Sequence, residues 1–307
     1  MKILETLIQM FSLVVLGVLW RYFAPGQHSV ATVRQVLSDI VLDIMLPALV
    51  IHVVWSASLG LESLEISFIA VCGILAAVLV SSTLCHQCNL NRPRTGAVVL
   101  AASFANVTYL GLPVLVSLYG NWGAGIAIQY DLFASTPLLF SLGFFLAARH
   151  GEIENTQLHP VKSFLRLPPV WAAIIAVILN VFNVPHHPFL DNVLQLIGAS
   201  VIPIMLLVLG MSLEWTSLRR DRIPGLVVVL IIQLGLMPIV VWLVSSSMGI
   251  SGNLKVALVL EAAMPSMLIG LVVCDRFKLD TALYAAAVSL STLLSFVTLP
   301  LWYSLLA

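Results

Sequence analysis

Ala105-Asn106-Val107-Thr108-Tyr109-Leu110-Gly111-Leu112-Pro113 and Met264-Pro265-Ser266-Met267-Leu268-Ile269-Gly270 are the two stretches that decide how this chain folds. Each places Gly and Pro inside a run that is otherwise apolar enough for a membrane helix, and the two occupy matching places in the two halves of the chain. In hydrocarbon an unpaired backbone N–H or C=O is so costly that broken backbone survives only where protein or a water-filled cavity surrounds it. A matched pair of breaks, one per half, is the sequence sign of a midplane site between internal repeats.

The rest of the chain fits a membrane setting. It is 60% apolar and 9% charged with a mean hydropathy of +1.07, whereas soluble globular chains carry about 25% charged residues. Ten apolar blocks, each long enough to cross the bilayer as a helix, begin near Ile3, Val33, Leu64, Thr95, Trp122, Pro168, Leu190, Ile223, Leu254 and Thr281. The alternating pattern of an outer-membrane barrel is missing.

Net charge is zero, but its distribution is informative. Arg21 and Arg34 fall in the first connection, Arg92 and Arg94 in the third, Arg149, Lys162 and Arg166 in the fifth, Arg219, Arg220 and Arg222 in the seventh, and Arg276 and Lys278 in the ninth. Of fourteen basic residues only Lys2 and Lys255 fall on the other side. Basic loops stay cytoplasmic, so the odd connections are expected there and both termini outside. The apolar run from Phe11 to Trp20 resembles a signal peptide only superficially: Glu5 and Gln9 dilute its charged start, and it ends in Trp20-Arg21-Tyr22, an interfacial anchor and not a cleavage site. Cys85-His86-Gln87-Cys88 has the spacing of half a zinc site without a second pair, so no metal is expected.

Five spans precede the polar stretch after His150 and five follow it, which predicts a first repeat over residues 1–149, a cytoplasmic linker over 150–167 and a second repeat of opposite topology over 168–307. Leu46-Pro47-Ala48 answers Ile202-Pro203-Ile204, and Ser135-Thr136 answers Ser291-Thr292, both at an offset of 156, while Gly111 and Gly270 are offset by 159.

In the fourth span Pro113 suits the first turn of an outer half-helix, where its missing N–H costs nothing; in the ninth the break falls at Pro265. Half-helices that end at a cavity present unsatisfied N–H groups and a positive dipole end, so they can face an anion without a nearby cation. No Lys or Arg lies deep in any span. Ala105, Pro113, Pro265 and Gly270 are the helix-break residues. Four carboxylates lie within spans: Asp39, Asp43, Asp131 and Glu261. Ionisable groups at membrane depth are functional candidates by default, and Glu261, Asp131 and Asp43 are the candidates for binding a coupling ion. Asp39 is near a helix end and suits headgroup contact. His52 is expected to bond a backbone carbonyl, and Ser291, Ser295 and Thr298 are assigned to helix packing.

With these residues in view, Asn106 to Pro113, Glu261-Ala262-Ala263-Met264-Pro265 and Ser291 to Pro300 resemble the auxin efflux carrier family in its bacterial branch, which includes malonate and other organic-anion permeases alongside the plant carriers. The resemblance covers nearly the whole chain. It implies an all-α membrane protein of ten helices in two inverted five-helix repeats, with the broken fourth and ninth helices crossing. It further implies a homodimer on a scaffold of helices 1, 2, 6 and 7, and a transport unit of helices 3–5 and 8–10 that moves like an elevator. The family's carboxylate-binding Asn maps onto Asn106, and a Gln of the fifth span onto Gln129; Ser266 and Gly111 complete the candidate substrate-binding set. Plant members carry Pro before the Asn, where this chain has Ala105. Pairing Ala105 with Pro265 would set Asn106 against Ser266 at an offset of 160, one residue from the glycine register, and the sequence leaves that register open.

The expected function is secondary transport of a small organic anion, a carboxylate, across the inner membrane of a bacterium. No nucleotide-binding loop is present to let ATP drive it. No cofactor and no nucleic acid are expected; the partners are substrate, lipid and a second copy of the chain, and coupling to protons or Na⁺ stays open. A channel or membrane sensor is the alternative. An intramembrane enzyme would need a motif such as His-Glu-x-x-His, which is lacking.

Overall fold

The computed structural model describes residues 2–23, 28–57, 60–151, 165, 167–185, 187–213 and 220–306. Among them the regular structure is helical, apart from one isolated β-bridge. The helices are α1 (Lys2–Phe23), α2 (Val30–Trp55), α3 (Leu61–Gln87), α4 (Arg92–Ser103), α5 (107–119), α6 (121–150), α7 (Pro168–Val181), α8 (Pro188–Ser212), α9 (Arg220–Ser247), α10 (Gly252–Ala262), α11 (Gly270–Arg276) and α12 (Thr281–Leu306). Six of the helical runs are long and apolar enough to cross a membrane. Each expected span start lies within three residues of the start of a helix, while the helices beginning at Arg92 and Gly252 are shorter than a full span. Lys162, Arg166, Arg219 and most of the linker expected over 150–167 lie outside the described residues.

The outside of the molecule carries large exposed apolar side chains, among them Leu79, Trp171, Leu196, Ile231 and Val297. Its interior holds buried polar ones, including Asn106, Gln129, Gln233, Glu261 and Ser291. Apolar outside with polar groups within is the arrangement that lipid favours, so the chain is an integral membrane protein.

Prolines shape the helices through a repeated device. A π-turn covers Val41–Met45 ahead of Pro47, another Val107–Gly111 ahead of Pro113, a third Asp131–Ser135 ahead of Pro137 and a fourth Ile232–Leu236 ahead of Pro238. Proline cannot donate to the carbonyl four residues back and its ring crowds that carbonyl, and the wider π-turn absorbs the misfit without ending the helix. Between α5 and α6 the turn is made by Gly120, whose φ of +64° is a conformation that favours glycine.

α1, α2, α7 and α8 pack on one another, and α1 also touches α12 and α8 also touches α5. α1 lies along α8, with Gly17 and Gly210 back to back; a Cβ on Gly17 would stand 2.9 Å from the Gly210 Cα. Such small-residue contacts let membrane helices approach closely. α2 packs on α7 and α8. The end of α2 is tied to α7 by Asn180, whose Nδ2 donates to the carbonyls of Trp55 (2.8 Å) and Ala57 (2.7 Å), while Trp55 Nε1 donates to the Val184 carbonyl at 3.1 Å.

The described arginines cluster at one end. Arg94 pairs with Asp221 at 2.5 Å and Asp280 at 3.3 Å, Arg222 reaches Asp280 at 3.4 Å, and Arg92 donates to the Arg149 carbonyl at 2.6 Å. Arg21 donates to the Leu213 carbonyl, joining the ends of α1 and α8. The alternation of basic connections along the sequence thus becomes one basic end in space.

Candidate functional site

The two quoted stretches meet. Ala105 and Ser266 form an antiparallel bridge in which Asn106 N–H donates to the Pro265 carbonyl at 2.7 Å and Met267 N–H to the Phe104 carbonyl at 3.0 Å. These two bonds exchange under a local two-fold axis that equates Ala105 with Ser266, an offset of 161, and hence Asn106 with Met267. The Asn106–Ser266 pairing at 160 is therefore off by one residue at the bridge.

The half-helices that lead into the bridge leave carbonyls without helical partners, and side chains from elsewhere fill them. Ser266 Oγ donates to the Ala101 carbonyl at 2.6 Å near the end of α4. Gln233 Nε2, from the π-turn of α9, donates to the carbonyls of Met264 (2.8 Å) and Ala262 (3.3 Å) at the end of α10. Ser291 Oγ accepts from Ser266 N–H at 3.1 Å, so this hydroxyl, assigned above to packing, is a strut of the crossover.

Asn106 starts α5. Its Oδ1 accepts from Tyr109 N–H at 3.3 Å as an N-cap, and its main-chain carbonyl accepts from Gly111 N–H at 3.1 Å. The residue is only 2% exposed, yet its Nδ2 donors have no partner. A buried donor left unpaired costs about 1–3 kcal/mol, so this group is unfinished until something accepts from it.

Glu261, near the end of α10, is completely buried, and both of its carboxylate oxygens lack a hydrogen-bond partner. It lies directly on Gly111: a Cβ there would overlap the carboxylate. Gly270 is covered in the same way by Tyr284 of α12, whose hydroxyl donates to the Met267 carbonyl at 2.9 Å. The two glycines are thus places of close approach, and Gly111 is occupied by a side chain of the protein itself. Asp131 accepts from Thr108 and, at 2.8 Å, from Thr136, so both of its oxygens are engaged.

Two clefts flank this centre along α2. One, of about 460 Å³ at the basic end, is lined by Arg34, Ser38 and Asp39 of α2, by Tyr109, and by Leu268, Ile269, Leu271 and Val272. The other, of about 310 Å³ at the opposite end, is lined by His52 and Ser56 of α2, Glu62, Asn121 and Gln129. A third, of about 10 Å³, is lined by Leu46, Val50, Thr108, Leu112, Ile128 and Asp131.

The crossover therefore brings together Ala105, Asn106, Pro265 and Ser266, with Glu261 on Gly111 beside it. Gln129 lines the far cleft instead, whose walls include neither Asn106 nor Ser266. Asp43 is exposed on α2, and Pro113 is buried in α5 just past its π-turn. His52 Nδ1 is 2.8 Å from Asp191 Oδ1, so its partner is a carboxylate of α8 and not the backbone carbonyl expected. Sequence reading passed over Gln233 and Tyr284, although an amide deep in a span is a polar anomaly that could have marked Gln233.

A polar crossover of broken helices, buried inside an all-helical membrane protein, is the mark of membrane transport proteins. The family described as "Membrane transport protein" matches residues 2–303, and the chain belongs to it; this is the family of the auxin efflux carriers that the motifs resemble. An uncharacterized transporter of Methanothermobacter thermautotrophicus is 28% identical over 304 residues, which cover 97% of this chain and 96% of that protein. An uncharacterized transporter of Methanocaldococcus jannaschii is 25% identical over 275 residues, covering 87% and 88%. The uncharacterized transporter YfdV of Escherichia coli K12 is 24% identical over 208 residues, covering 66% and 65%.

Proposed function

We propose that this protein is a secondary transporter of small carboxylates, built as ten spans in two inverted five-helix repeats and working by elevator-like alternating access. Helices α1, α2, α7 and α8 form the scaffold on which two copies associate, and the remainder moves against them. The single observation that carries the reading is Asn106 Nδ2: a buried, unpartnered donor at the N-terminus of α5, where the helix dipole also favours an anion. Asn106 binds the carboxylate, and α2 is the rail along which the site passes from one cleft to the other. Gln129, in the cleft away from the basic end, meets the substrate there. The basic end faces the cytoplasm, as the positive-inside rule requires, which leaves both termini outside.

A ligand that binds only the folded protein raises its apparent melting temperature. Purified protein screened against mono- and dicarboxylates is expected to be stabilised by one chemical group of them. Stabilisation by none, or equally by amines and neutral amides of the same size, would overturn the assignment.

A further inference from the structure

Besides the hydroxyls of Ser103, Tyr130 and Thr292, which can donate or accept, the unpartnered buried polar atoms in and around the crossover fall into two kinds. Asn106 Nδ2 is a donor and suits an anion. Glu261 Oε1 and Oε2 are acceptors, joined by Gln233 Oε1 on the helix that caps α10, and these suit a cation. The crossover thus presents one polarity on the strand entering α5 and the opposite polarity a turn away.

The titratable groups that reach Glu261 electrostatically are Asp131 and Tyr130 of α6. The helices α3, α9 and α12 also pack on α10, and among the described residues they bring no charged side chain to Glu261. Two carboxylates in mutual reach without a countercharge, Glu261 fully enclosed and Asp131 half-buried, each disfavour the other's ionised form. Their hydrogen bonds decide between them. Asp131 receives hydroxyl donors from Thr108 and Thr136 on both oxygens, whereas Glu261 receives none. Among the described residues no group of three or more His, Cys, Asp and Glu side chains gathers around a metal-sized point; a proton, unlike a metal ion, needs no ligand beyond the carboxylate itself.

We propose that Glu261 is the proton carrier of this transporter and that one proton crosses with each substrate anion. The proposal rests on the carboxylate reading of Asn106. The coupling is electrostatic and needs no contact between the two. Asn106 and Gly111 are five residues apart, about 7 Å along a helix axis, and Glu261 sits on Gly111. An anion at Asn106 is repelled by ionised Glu261 and tolerated by the neutral acid, and by linkage the bound anion in turn holds the proton in place. The proton passes from water on one side to the Glu261 carboxylate and from there to water on the other; no bond of the substrate is made or broken.

The test uses proteoliposomes of the full-length protein and a carboxylate that it exchanges. With a monocarboxylate, a lumen one pH unit more alkaline than the bath is expected to drive about tenfold accumulation, and adding substrate to unbuffered vesicles is expected to make the bath more alkaline. Glu261→Gln, nearly isosteric, is expected to keep equilibrium exchange while losing both the accumulation and the alkalinisation. Proton movement in the wild-type protein tests the claim even if the variant does not fold. Exchange without proton movement, accumulation driven by a Na⁺ gradient at fixed pH, or a Glu261→Gln protein that still accumulates would each overturn the proposal. A wild-type protein that exchanges no carboxylate would instead overturn the transport reading beneath it.

Discussion

Three of the polar functions of Asn106 are committed to the protein: its N–H to Pro265, its carbonyl to the first turn of α5 and its Oδ1 to Tyr109. What remains is a single amide group held in a fixed direction, and that rigidity makes it a good ligand group. Gly111, by contrast, acts through what it lacks. Because a Cβ would drive into the Glu261 carboxylate, Gly111→Ala is expected to destabilise the protein by about 1–3 kcal/mol, as overpacking does. Gly235, in the π-turn of α9, has nothing within 4 Å of its would-be Cβ. Gly235→Ala is therefore the control, and thermal unfolding of the two variants should separate them. Equal melting temperatures would mean that Glu261 does not sit on Gly111.

Helices in this protein are defined as much by their interruptions as by their runs. Each of four prolines follows a π-turn, and three of those turns supply residues to the site: Thr108, Asp131 and Gln233. The prolines were legible in the sequence; the turns they induce were not, because the hydrogen-bond shift leaves the apolar pattern intact. The breaks at Ala105 and Pro265 were legible for the opposite reason, since Gly and Pro are conspicuous in an apolar run. Their register was not, because it depends on which backbone groups face each other across the bridge. The contact of α1 with α8 depends on Gly17 and Gly210. Gly17→Val is expected to push the helices apart and to lower the apparent melting temperature by several degrees, with a loss of monodispersity on size exclusion. An unchanged unfolding profile would show that this contact does not hold the two helices together.

Across the whole molecule, basic residues that alternate along the chain gather in space: Arg92 meets the Arg149 carbonyl, and Arg94 and Arg222 share Asp280. The partner of His52 and the seat of Tyr284 join residues far apart in sequence and could only come from coordinates. The alternating access proposed above would use the two clefts along α2, one lined by Arg34 and Asp39 and the other by His52 and Gln129. A channel would need a continuous pore between them. The decisive measurement is counterflow of a labelled small carboxylate in proteoliposomes of the wild-type protein and of Asn106→Ala. Loss of a hydrogen bond to a charged group is worth about 1.5–3 kcal/mol. The account predicts saturable exchange in the wild type and a half-saturation concentration raised roughly ten- to a hundredfold in the variant. Non-saturating flux, or an unchanged half-saturation in Asn106→Ala, would contradict it.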